Sequence, residues 1–173
     1  MFKSNNTTEI LESCKKRGKP LTDTDLSKLS INDTEYCSFI SSFDRSEITP
    51  DIIIYSLEEA VKANEYIATE YPEIAQEVWQ IGCTGIGDQW FLDKESFSIL
   101  FFDHDQGEYT DAEFIDLNIK FNDFLLMASL VRSLENFLDE NTNFDEEKIE
   151  TEFMTELNKI SPNLYENYPY NWI

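Results

Sequence analysis

Histidine occurs once in the 173 residues, at position 104. A lone imidazole leaves no second histidine to complete the usual transition-metal ligand sets. Cysteine is scarce as well: Cys14, Cys37 and Cys83 are odd in number, widely spaced and without a Cys-x-x-Cys pair. That pattern excludes a disulfide framework and a zinc knuckle, and reads as three reduced thiols. Glycine and proline number five each, and no Pro/Gly-rich linker, internal repeat or low-complexity tract divides the chain. No stretch approaches the roughly 20 apolar residues that span a bilayer, and residues 1–8 lack the apolar run of a secretory signal. The expectation is a cytoplasmic protein that does not enter membranes.

Positive charge is the other scarcity. Lysine and arginine total 13 against 35 acids, for a net charge of −22. Lys3, Lys15, Lys16, Arg17 and Lys19 stand in the first twenty residues against Glu9 and Glu12, so that segment is +3 and the remainder −25. Such a field repels nucleic acid and anionic membranes, draws in basic partners and speeds association with them. Disorder is excluded by what accompanies the charge: 41% hydrophobic residues, with 13 Phe, 8 Tyr and 3 Trp, suffice for one sizeable core.

Local patterns order the elements. Caps at Thr22-Asp23-Thr24-Asp25 predict a short helix, and Tyr36, Phe39, Ile40 and Phe43 continue a helical spacing. Ile52-Ile53-Ile54-Tyr55 reads as a buried strand, and Ser56-Leu57-Glu58-Glu59 as a capping box opening a helix that runs to about Tyr71. Residues 81–105 read as a glycine turn (Gly82, Gly85, Gly87), an aromatic strand, a short turn and a second aromatic strand: a β-hairpin signature. A further strand is expected around residues 112–117. From there the period changes. Phe121, Phe124, Leu125, Ala128, Val131, Leu134 and Leu138 mark a long amphipathic helix that covers the sheet. Asp145 caps a final helix with the stripe Ile149, Phe153, Leu157 and Ile160 and an acidic opposite face. The aromatic tail 163–173 is expected to fold back onto the body.

Chemical motifs fail one after another. Gly82-x-x-Gly85-x-Gly87 reverses the dinucleotide spacing and leads into a strand instead of a helix, and no Gly-Lys-Ser/Thr ending makes it a phosphate loop. It reads as a structural turn, with Asp88 bonding to turn amides. A calcium loop from Asp103 needs Gly sixth and Glu twelfth, where Glu108 and Phe114 stand. No Gly-x-Ser-x-Gly elbow exists to pair with His104. Its neighbours Asp103 and Asp105 favour the protonated ring of a surface residue. No metal and no cofactor is expected.

One resemblance emerges from the order of these pieces. The strand and capped helix, Ile81-Gly82-x-x-Gly85-x-Gly87-Asp88-x-x-x-Leu92-Asp93, the strand 99–102, Asp103-His104-Asp105 and the helix with Phe121-Asn122-Asp123-Phe124-Leu125 resemble the SUKH superfamily. This is the group of the yeast Smi/Knr cell-wall regulator and many bacterial immunity proteins. The likeness covers residues 50–138 and leaves 139–173 as a C-terminal helical extension. The chain departs from the family's frequent Asn-Gly after the first helix, since none follows Tyr36–Ile40. The resemblance implies an α+β single domain with a twisted, mainly antiparallel sheet flanked by helices. It also implies no shared catalytic centre and a function in binding proteins.

Resemblance and charge point to a non-enzymatic immunity protein that neutralises a cognate, basic, nuclease-type bacterial toxin through an acidic surface. The residues expected to meet that partner are Asp103, Asp105, Glu108, Asp111 and Glu113, with Asp88 and Trp90. The alternative is an intracellular scaffold or regulator of the same family.

Overall fold

In the computed structural model, residues 7–109 and 113–170 are described; Lys3, Asp111, Ala112 and residues 171–173 lie outside them. Among the described residues six strands form one antiparallel sheet whose spatial order is the sequence order: β1 Ser46–Thr49, β2 Ile52–Ile54, β3 Val78–Cys83, β4 Gln89–Asp93, β5 Ile99–Phe102 and β6 Ile115–Asp116. Around it stand α1 Thr8–Ser13, α2 Asp23–Leu26, α3 Thr34–Ser42, α4 Leu57–Glu70, α5 Ile74–Glu77, α6 Phe121–Glu140, α7 Glu146–Ile160 and α8 Leu164–Asn167. The expected α+β class, with an antiparallel sheet flanked by helices, is the architecture observed. No helix among the described residues is long and apolar enough to cross a membrane.

The strands are apolar on both faces because both faces are covered. Ile52, Ile54, Trp79, Trp90, Leu92, Ile99 and Phe101 project to one side, where Phe121, Phe124, Leu125, Ala128 and Val131 of α6 cover them. Alternate residues Val78, Phe91, Leu100 and Phe102 form a second, smaller core with Ile67 of α4 and Tyr109. This explains the uninterrupted Ile99-Leu100-Phe101-Phe102 run. The period-2 alternation survives a bulge at Ile81, where the β3–β4 register shifts between Gln80 and Gly82. Asn64 of α4 spans the bulge: its Nδ2 donates to the Gln80 carbonyl at 2.9 Å and its Oδ1 accepts the Gln80 N–H at 2.8 Å. The neighbouring Gly82 lies against β2 so closely that a Cβ would approach the Ile53 carbonyl within the 3.0 Å that real Cβ atoms keep clear.

Capping follows the sequence. Ser56 and Glu59 form a reciprocal box at α4, with Glu59 N–H to Ser56 Oγ at 3.2 Å and Ser56 N–H to Glu59 Oε2 at 2.9 Å. Asp145 accepts the Lys148 N–H at 3.1 Å and starts α7. The N-terminal basic segment holds more structure than its polarity announces. Ile10 of α1 is fully buried, Lys16 bridges Phe43, and Arg17 Nη2 meets Glu58 at 2.6 Å. β1 is likewise unannounced, since Ser-Glu-Ile-Thr becomes a strand by pairing with β2.

Candidate protein-binding site

The glycine turn and the acidic loop meet at one end of the sheet. In the turn, Thr84 N–H donates to the Asp88 carbonyl at 2.8 Å, and the Asp88 N–H to Thr84 Oγ1 at 3.0 Å. Gly85 N–H ties the turn to the Pro50 carbonyl at 2.7 Å. Gly87 has φ +110 and faces the His104 ring, a conformation L-residues with side chains rarely adopt. The turn is therefore tied at both of its ends, and its tip carries Ile86, 67% exposed.

Across from it, Asp103 follows β5 and accepts the Asp105 N–H at 2.9 Å, capping a single 3₁₀ turn at His104–Gln106. Gln106 then closes the loop: its Nε2 donates to the Glu113 carbonyl at 3.2 Å and its Oε1 accepts the Glu113 N–H at 3.0 Å. The Tyr71 hydroxyl donates to Glu108, and this carboxylate pushes the phenol's pKa up to about 12.

Asp88 holds the junction together. It is 3% exposed; its Oδ1 accepts the His104 backbone N–H at 3.1 Å and the ring Nδ1–H at 2.5 Å, and its Oδ2 accepts the Tyr170 hydroxyl. Burial alone would raise its pKa, but the bonds from Tyr170 and His104 prevail and lower it. The bond to Asp88 raises His104, opposed by desolvation and helped by Asp105. Asp88, Asp103 and His104 do bring possible metal-ligand atoms within 4.8 Å of one another. Yet the Asp88 oxygens are already taken by donors and Nδ1 carries the proton between them, whereas a metal needs a deprotonated nitrogen facing it. The cluster is built as a hydrogen-bonded lock.

The expected contact residues divide accordingly. Asp105, Glu108 and Glu113 are exposed on one loop, and Asp103 is half-buried at its base. Asp111 lies outside the described residues. Two expectations are corrected. Trp90 is fully buried, its indole N–H bonded to the Asp51 carbonyl at 2.7 Å and its ring packed on Phe101 and Phe124 at 4.9 and 5.1 Å. Asp88 is sealed beneath Tyr170, and the amide it binds belongs to His104 instead of its own turn. Neither presents a surface to a partner. The folded-back tail does the sealing: Tyr168 is 6% exposed and lies 6.4 Å from Trp90, ring to ring.

Ile86 and Tyr71 were missed by sequence reasoning. An isoleucine between two glycines at a hairpin tip has nowhere to hide, which is a usable signal. Tyr71 carries none, because only the tertiary fold brings it to Glu108. Comparison with protein families, curated proteins and solved structures finds no match for this chain.

Proposed function

We propose that this chain is a SUKH-like immunity protein that binds and neutralises a basic, nuclease-type bacterial toxin, without catalysis of its own. One observation carries the reading: the acids of the 103–113 loop, Asp105, Glu108 and Glu113, stand exposed on a segment held by Asp88 and Gln106. Fixing these carboxylates before the partner arrives lowers the ordering cost of binding. The net charge of −22 supplies long-range attraction to a cationic surface. His104 serves the loop as a strut: its backbone N–H and its ring Nδ1–H both bond to the buried Asp88 carboxylate, which fixes the base of the acidic segment.

The test is co-expression with the toxic C-terminal domain of a secreted protein encoded beside this chain. Growth is restored by the intact chain and lost again when Asp105, Glu108 and Glu113 are changed together to Asn and Gln. Continued lethality with every neighbouring toxin domain would overturn the immunity reading and leave the scaffold alternative.

A further inference from the structure

Tyr66, on α4, is 58% exposed, and it does not stand alone. Its ring meets Tyr71 edge-on at 6.3 Å, and Tyr71 in turn meets the buried Tyr109 at 4.9 Å and 87°. Tyr109 is rooted in the sheet through its hydroxyl bond to Gln89 of β4, and Tyr71 is fixed by its bond to Glu108. The result is a ladder of three phenol rings running from the core to solvent. Beside it a cleft of about 240 Å³ opens between Glu70, Tyr71, Pro72, Glu73 and Ile74.

Carboxylates line the mouth of this cleft, while Lys94 is turned to the Ala75 carbonyl at 2.6 Å. α4 has no basic residue in its last turn, although the helix dipole places negative charge there. Glu70 ends the helix and Glu73 follows it, both exposed. A helix end that usually attracts lysine or arginine is here lined with carboxylates and aromatic faces. Lys28 and Lys94 line a separate cavity with Glu65 and Ala68, and neither lines the cleft of Glu70 and Glu73, so its two carboxylates suit a cation brought from outside.

We infer that the Tyr66–Tyr71 ladder and its cleft receive an arginine side chain of the basic protein partner. Arginine fits better than lysine because its planar, weakly hydrated guanidinium can lie on a phenol ring while its N–H groups reach the flanking carboxylates. This inference rests on the reading above that the partner is basic. It extends the contact surface from the 103–113 loop across Glu108 to the end of α4.

The experiment titrates the intact chain with two peptides, acetyl-Gly-Arg-Gly-Arg-Gly-amide and its lysine counterpart, following the aromatic proton signals of Tyr66 and Tyr71 by NMR. The arginine peptide is expected to shift both rings and to bind about two- to fivefold more tightly. Tyr66→Ala should abolish that preference while circular dichroism reports an intact fold, and Tyr66→Phe, which keeps the ring against Tyr71, should keep it. Equal binding of both peptides, with shifts spread over all acidic faces, overturns the inference, as does a preference that survives Tyr66→Ala. The two readings fail separately. Toxin neutralisation without an arginine preference removes the cleft and keeps the function; an arginine preference without any neutralised toxin does the reverse.

Discussion

Asp88 and His104 are joined twice, through the backbone N–H at 3.1 Å and the ring Nδ1–H at 2.5 Å, so one buried carboxylate fixes both the position and the tilt of the imidazole. The pair ties stability to pH from two sides. Asp88 is lowered from 3.8, so its contribution is present above that value and lost as pH falls through the lower folded pKa. His104 is raised from 6.5, so its contribution is complete below that value and lost as pH rises through the higher folded pKa. Asp88→Asn should therefore cost most between these limits, roughly 1.5–3 kcal/mol, and less on either side. Urea unfolding of both proteins from pH 3 to 9 checks this; a constant difference across the range would show that the pair does not titrate.

The Asn64 amide satisfies both backbone groups of Gln80 where the pairing of β2 with β3, which stops at Ile54–Gly82, no longer reaches. Asn64→Ala leaves a buried N–H and a buried carbonyl without that partner, a loss of about 1–3 kcal/mol. Hydrogen exchange at the Gln80 amide should accelerate in step. An unchanged exchange rate would mean that a different acceptor takes over.

Gly82→Ala places a methyl group against the Ile53 carbonyl, a backbone atom that cannot swing aside as a side chain would. The expected loss is roughly 1–3 kcal/mol from overpacking, read as a lower urea midpoint. Gly18→Ala is the control, because nothing lies within 4 Å of a Cβ there. Equal midpoints for the two variants would refute the contact.

Glu135 on α6 is held up to about 7 by burial and by the nearby acids Asp51 and Asp139. Folding favours its protonated form, so ionising it lowers stability progressively from pH 4.5 through 7 and keeps it lower above. Glu135→Gln should be more stable than the parent at pH 8.5 and nearly equal to it at pH 4.5. A gain of the same size at both values would point to packing instead of charge.

Association with a basic toxin domain should slow steeply as ionic strength rises from about 10 to 150 mM, where the screening length contracts from roughly 30 to 8 Å. Stopped-flow rates across that range decide it. A flat rate would assign the acidic surface to solubility alone.

What could be foreseen was written in short spans of sequence. The Ser56–Glu59 box needs only four consecutive residues, and the α6 stripe only a repeating spacing, so local physics specifies both. The hairpin 81–105 was legible for the same reason. β1 was not, because Ser46–Thr49 is strand-like only in the company of Ile52–Ile54. Nor was the true place of Asp88. A carboxylate after a glycine turn looks solvent-facing until Tyr170, far along the chain, closes over it. The exposed acids of the 103–113 loop could be named in advance, whereas the tyrosine ladder beside them depends on α4, β4 and the loop arriving together.

The packing of Tyr168 and Tyr170 on Trp90 and Asp88 also orders events during synthesis. Every strand leaves the ribosome before either tyrosine does, so the growing chain carries an open seam over its central tryptophan. Until that seam shuts, the Asp88 carboxylate lacks the Tyr170 hydroxyl on its Oδ2, and only His104 bonds to its Oδ1. The last closure of the core is thus left to residues that the ribosome releases after all six strands among the described residues.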